Sequence, residues 1–325
     1  MPSDIPTAAD DSLPKEGRHF ALPAVLFAAT CLSTFVAGAT NWNPTGYMKL
    51  FCGNAAENWS QHSPLAALRE AWAITIHDVN WRQGFVYMGV VMGLLLAHEM
   101  GHFLMTVRYR IPASLPYFIP LPIIPFGTLG AVIGMDGSRV NRREMFDLGI
   151  AGPLAGLVVT LPIVWLGILR LPEAPLPPQS FCFHNPVILQ YLIAWIRPGY
   201  PTPDVFYLNQ FNPFLMAGWV GLLVTGLNML PVSLLDGGHV AYALLGRRAH
   251  LLARAMIVAA ILFIVGTGET FWVVFLVLVI LLGADHPPTA DDNCRLGWLR
   301  WLLGWAALLI PLLCFSPSGI TPLGR

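Results

Sequence analysis

The chain has 325 residues, of which 55% are hydrophobic and only 11% charged, with 18 basic residues balancing 18 acidic ones. Soluble domains carry about 25% charged residues, so this composition excludes an ordinary soluble fold and points to a polytopic protein of the lipid bilayer. Zero net charge, with no long basic run, excludes nucleic acid as a partner.

The opening stretch MPSDIPTAADDSLPKEGRHF is polar and partly acidic, and reads as a short cytoplasmic tail over residues 1–19. An apolar run over about 20–40 predicts the first span, since a helix needs roughly 20 residues to cross the hydrocarbon. It ends FVAGAT, which looks like a signal-peptidase site, but the polar leader is long for a signal peptide and the span is read as uncleaved. Further runs lie at about 84–107, 145–169, 212–231, 250–268, 270–284 and 296–315. Basic residues set the orientation. Lys15 and Arg18 precede the first run, while Arg108, Arg110, Arg139, Arg142 and Arg143 follow the second. Arg247 and Arg248 follow the fourth, and Arg295 and Arg300 the sixth. The expectation is an all-α polytopic membrane protein with about 6–7 transmembrane helices. Its N-terminus is cytoplasmic and its C-terminus outside, with a bacterial inner membrane as the expected setting. Five scattered cysteines with no CxxC pair argue against zinc-thiolate or redox chemistry. Cys52 and Cys182 would share the outer side, which leaves a disulfide between them open.

One apolar segment fits no helix. IPASLPYFIPLPIIPFGTLGAVIG carries prolines at 112, 116, 120, 122 and 125, which forbid a continuous ladder. Non-helical backbone at membrane depth survives only where it is buried in protein or lines a cavity, so a re-entrant loop or β-hairpin is expected there.

The second run contains LLLAHEMGHFL, with His98, Glu99 and His102 where a span should be apolar. Each ionisable group at mid-bilayer costs about 2.5–3.5 kcal/mol, so three within five residues call for compensation. Positions i and i+4 share a helix face, so both imidazoles can hold one metal ion. Glu99 lies about 100° round, beside the ion rather than on it, where it can serve as general base to a zinc-activated water. A hydrogen-bonded helix–helix cluster is the structural alternative, and the spacing favours metal. A third ligand is then needed, and GLNMLPVSLLDGGHV offers Asp236. Two neutral imidazoles, a carboxylate and hydroxide bring Zn²⁺ to zero net charge, which suits low dielectric. Gly237 and Gly238 permit a close backbone approach to the metal-bearing helix, and Pro231 can end or kink the span. Asn228 reads equally as a helix–helix hydrogen bond or as an amide donor to a substrate carbonyl. His239 is expected to neighbour the ligands rather than join them, and His286 to mark a structured cytoplasmic turn.

HEMGH, FGTLGAVI, GIAGPLAG, NMLPVSLLDGGH and DHPPT occur in this order, and together they resemble the site-2 protease family of intramembrane zinc metalloproteases, in its branch without a PDZ domain. The resemblance spans about residues 84–290 and implies one Zn²⁺ per chain, with His98, His102 and Asp236 as ligands and Glu99 as base. It implies an endopeptidase that hydrolyses bonds in or near transmembrane segments of a protein or peptide substrate, in regulated intramembrane proteolysis. It divides the chain into the tail at 1–19, a first span and outer loop at 20–83, the protease core at 84–290 and a C-terminal span and tail at 291–325. One departure is the connection to the aspartate: four residues separate Pro231 from Asp236, longer than the family's NPxxDG. A substrate helix must unwind before its carbonyls can react, and FGTLGAVI is expected to offer a strand edge for the unwound segment, with Gly127, Thr128 and Gly130 as substrate or oxyanion contacts; the alternative is a loop that only packs the bundle. The rival readings are a metal-ion transporter, with Glu99 relaying protons, and an inactive chaperone or scaffold of the same fold.

Overall fold

A computed structural model describes residues 20–42, 79–135, 139–173, 181–201, 204–232, 234–283 and 285–322. The expected tail over 1–19, most of the outer loop and Cys52 lie outside the described residues, and so does the disulfide that Cys52 would make.

Helix α1 (Ala21–Ala39) is apolar but turns Thr30, Ser33 and Thr34 inward. The hydroxyls of Thr30 and Thr34 donate to the carbonyls of Leu26 and Thr30 at 2.8 and 2.7 Å, which offsets the cost of burying them. Helix α2 (Trp81–Tyr109) starts where the Asn80 side chain accepts the Gln83 N–H, and stops where Arg110 turns left-handed at φ 56°.

The proline-rich segment forms a two-stranded antiparallel hairpin, β1 (Tyr117–Pro120) and β2 (Thr128–Val132). Prolines 120, 122 and 125 fall at the end of β1 or in the connecting turn, where a missing N–H breaks no ladder. Gly127 holds φ +77° in that turn, and a Cβ on it would meet the Ser33 carbonyl at 2.6 Å. The Ser33 hydroxyl donates to the Gly127 carbonyl at 2.6 Å, and the Tyr87 hydroxyl to the Phe126 carbonyl at 3.1 Å. The hairpin is thereby fastened to α1 and α2.

Helix α3 (Arg142–Leu169) opens with a capping box between Asn141 and Glu144. It is followed by β3 (Phe181–His184), α4 (Val187–Ile196), β4 (Val205–Tyr207) and α5 (Pro213–Asn228). Then come α6 (Asp236–Leu245), α7 (Ala249–Thr267), α8 (Val273–Leu282), α9 (Trp298–Ala307), α10 (Ile310–Cys314) and β5 (Ile320–Pro322). β3 lies between β4 and β5, so the chain's last strand is stitched onto the 181–207 segment.

Helices α2, α3 and α5 pack on one another, with α1 against α2 and α6 against α3. α5 is apolar on all sides and fully enclosed from Leu215 to Leu223, which is the pattern of a central helix. On the periphery, Leu251, Val265, Val274, Leu281, Trp298 and Leu302 stay exposed, an apolar surface suited to lipid. By length and composition, four helical stretches among the described residues can cross a membrane: α1, α2, α3 and Asp236–Thr267, in which α6 and α7 run on through a short turn. α4, α5 and Trp298–Cys314 are shorter apolar helices. The mostly helical, polytopic architecture expected from composition holds, and of the two forms open to the proline-rich segment the chain adopts the hairpin.

Candidate metal centre

His98 and His102 stand on the inner face of α2, and Asp236 opens α6, which follows α5 after a tight reversal. The longer Pro231–Asp236 connection is taken up by turns, with N–H donation from Val232 to the Leu230 carbonyl and from Leu235 to that of Val232, at 2.8 and 3.1 Å. α5 ends at Asn228, ahead of Pro231. Gly237 does make a close approach, but to the backbone of Met229 and Leu230 in this same reversal rather than to α2.

The three side chains meet. Nε2 of His98 lies 3.2 Å from Nε2 of His102 and 3.1 Å from Asp236 Oδ2, and His102 Nε2 lies 3.3 Å from Asp236 Oδ1. One ligand atom from each of the three lies within 4.8 Å of the others. His102 Nδ1–H donates to the Leu148 carbonyl at 2.9 Å, so in the neutral ring Nε2 presents a lone pair to the cluster. Lone pairs from two imidazoles and a carboxylate converge on one point, in a place where an unneutralised carboxylate is costly. This donor set fits a divalent cation of zinc's preference for nitrogen and oxygen ligands.

Two glycines of α3 make room for this. A Cβ on Gly152 would fall on the His102 ring, and one on Gly156 would come within 3.2 Å of His98 Nδ1. Gly149 similarly lies against α6, where a Cβ would meet His239 Cβ at 2.8 Å and the Asp236 carbonyl at 3.0 Å. GIAGPLAG is thus the packing face that seats all three side chains. Its small residues at three- and four-residue spacing are the sequence signal that could have disclosed this role.

The cluster opens into a cavity of about 520 Å³, lined also by Glu99, Asn228, Leu234 and His239. Glu99 is 3% exposed and belongs to that wall, and Asn228 Nδ2 sits 3.3 Å from His98 Nε2. From the hairpin side the lining comes from residues 131–135. Gly127, Thr128 and Gly130 are not in the lining. Thr128 is 2% exposed, donates to the Ile119 carbonyl at 3.0 Å and accepts from Gly130 N–H at 3.0 Å, so it closes the hairpin on itself. Gly127 faces α1, and Gly130 pairs with Ile119. The cavity lining thus begins at Ala131, just past the three residues expected as substrate contacts.

His286 lies on the segment that follows α8. It is buried in the cavity wall with Pro287, 2.6 Å from His239, and burial holds its imidazole below the ordinary histidine range.

Fold and site together define a helical integral-membrane protein with a buried His–His–Asp centre beside a glutamate, the arrangement that metallopeptidases build on HExxH. The sequence model of Peptidase family M50 matches residues 86–267, and the chain belongs to this family, the site-2 protease family. It is 29% identical over 230 residues to "Probable zinc metalloprotease EGY1, chloroplastic" of Arabidopsis thaliana, covering 68% of this chain and 41% of that protein. The rice (Oryza sativa subsp. japonica) protein of the same name is 33% identical over 168 residues, covering 49% and 28%. "Probable zinc metalloprotease EGY2, chloroplastic" of Oryza sativa subsp. indica is 29% identical over 177 residues, covering 54% and 32%. The chain spans 41% or less of the length of these curated relatives. Their names place them in chloroplasts, which runs against the bacterial setting expected from sequence. No solved structure matches the chain.

Proposed function

We propose that this protein is a zinc-dependent intramembrane endopeptidase that hydrolyses peptide bonds within or near transmembrane segments. The observation that carries this reading is the convergence of His98 Nε2, His102 Nε2 and the Asp236 carboxylate at one end of a cavity that also holds Glu99. His98, His102 and Asp236 would hold the ion, which when bound supplies a Lewis acid for a scissile carbonyl and for water. Glu99, buried in the same wall, takes a proton from the attacking water and returns it to the departing amine, so that the residue ends the cycle as it began. Asn228, beside His98, is placed to donate its amide to the carbonyl oxygen as charge develops there.

The substrate must arrive extended, because a helix spends its carbonyls on itself. Among the described residues β2 pairs on one side only, with β1, and its far end runs into the cavity lining. That free edge is where an unwound segment would add as a further strand. The residues from 84 to 290 form the catalytic core, and 6–7 spans carry it, on the count of apolar runs of about 20 residues. A cytoplasmic N-terminus and an outer C-terminus fit the basic-residue pattern. The pairing of β5 with β3, which brings the chain's end to the 181–207 segment, supports placing both on one side.

The deciding experiment compares wild type with Glu99→Gln, purified and zinc-loaded, on a single-span membrane peptide. Cleavage by wild type and none by the variant, at equal zinc content, is expected. Equal cleavage by both would remove Glu99 from the mechanism.

A further inference from the structure

The strap between α8 and α9 plays no part in the chemistry above, yet it reaches the cavity. His286 on this strap is held from both sides: Nδ1 lies 2.5 Å from the Pro287 carbonyl, and Nε2 lies 2.6 Å from Nδ1 of His239. A carbonyl only accepts, so the proton of the neutral His286 ring is on Nδ1. Its Nε2 then offers a lone pair, and His239 Nδ1–H donates to it. The chain of donation from His239 to His286 to the Pro287 carbonyl has one direction only, and it leaves His239 Nε2 unprotonated.

The strap grips α6 at a second point on the same face. Tyr242, three residues after His239, stacks on the His286 ring with centroids 4.5 Å apart and planes 18° apart. Its hydroxyl donates to Asp292 at 2.9 Å. The strap is in turn stitched to the start of α3, where Ala290 N–H donates to the Val140 carbonyl at 2.8 Å and Arg142 N–H to that of Asp291 at 3.2 Å. The start of α6 has no side-chain cap of its own, since Asp236 is its first residue and the preceding Leu235 provides none.

We propose that His286 is a positioning residue for the metal centre: by accepting from His239 it seats α6, and so holds the Asp236 carboxylate opposite His98 and His102. The inference rests on the peptidase reading above. It gives a role to the histidine of DHPPT, which lies past residue 267, where the match to the family model ends.

Partners that orient a ligand from outside change metal affinity or activity by about 10–100-fold when removed. The test uses the full chain, zinc-loaded, with two substitutions. His286→Phe keeps a flat ring against Tyr242 but offers no acceptor, while His286→Gln offers an acceptor oxygen and cannot stack. Expected for His286→Phe is a fall of about tenfold or more in kcat with KM unchanged, and a matching loss of zinc affinity. Expected for His286→Gln is recovery of most of both. A phenylalanine variant equal to wild type, or a glutamine variant that falls equally far, overturns the proposal. Should the phenylalanine variant fail to fold, histidine-selective 15N spectra of the wild-type protein decide. Both His239 and His286 must show Nδ1-protonated rings, and an Nε2-protonated ring in either refutes the assignment. If wild type shows no Glu99-dependent cleavage, the peptidase reading fails instead, and zinc affinity still judges His286.

Discussion

Gly152 of α3 lies directly against the imidazole of His102, so close that a methyl carbon in place of its hydrogen would come within 2.0 Å of the ring's Nε2. The helix that supplies no ligand therefore decides where a ligand can stand. Gly152→Ala is expected to displace His102, costing about 1–3 kcal/mol of overpacking and at least tenfold in zinc affinity. Gly93→Ala on α2, where a Cβ would meet nothing within 4 Å, is the matched control and should bind zinc as wild type does. Isothermal titration of both variants with zinc checks this.

Metal removal should be felt by the whole fold, because the site ties α2 to α6. A ligand present at 100 times its Kd stabilises by about 2.7 kcal/mol. Chelation is expected to lower the Tm of the wild-type protein by several degrees and to leave Asp236→Ala unmoved. Thermal unfolding with and without chelator gives the comparison.

The hairpin makes a positional forecast for substrate. Val132 is 53% exposed at the cavity end of β2, whereas Thr128 is 2% exposed and turned into the hairpin. A photo-crosslinker at Val132 should capture a bound transmembrane peptide in the Glu99→Gln background, and one at Thr128 should not. Capture at Thr128 alone would place the substrate on another edge.

On α9, Arg300 donates through Nε and a terminal nitrogen to the two oxygens of Asp147 at 2.8 and 2.9 Å, and the Tyr109 hydroxyl donates to the same carboxylate at 2.5 Å. This joins α9 to α3 and the end of α2. Arg300→Lys keeps the charge and loses the two-pronged geometry, so a loss of about 1 kcal/mol in stability is expected, read from the shift in denaturation midpoint.

The strap should carry an acid sensitivity. The Thr289 hydroxyl, and after it that of Tyr242, hold the Asp292 carboxyl below its ordinary value of 3.8. A depressed folded pKa contributes stability that is present above 3.8 and is lost as pH falls through the folded value. Asp292→Asn should therefore be less stable than wild type at neutral pH, with the gap closing as pH drops below 3.8. A constant gap across that range would show that the carboxylate's charge is immaterial.

Much of this molecule was readable along the chain. The i, i+4 spacing of His98 and His102 fixes them to one face of a helix wherever that helix lies, and five prolines in 14 residues rule out a helical ladder by local sterics alone. Asp236 was readable as a partner because a carboxylate after an apolar run requires one. Which part of the hairpin lines the cavity, and the meeting of His286 with His239, were not. Thr128 and Val132 differ in how far along β2 they lie, and only the packing of the hairpin against α1 and α2 decides which of its ends meets the cavity. His286 is 47 residues from His239, and only the return of the strap onto α6 brings their rings together.

The sequence by itself determined the apolar, mostly helical character of the chain and singled out the candidate metal-seeking side chains, because these follow from composition, periodicity and the cost of charge in lipid. Only the tertiary structure decided that α3's glycines admit the imidazoles, that β2 turns its far end to the cavity and that the strap holds α6. Those relations depend on contacts between segments far apart in the chain, and close packing, unlike periodicity, leaves no repeating mark in the order of residues.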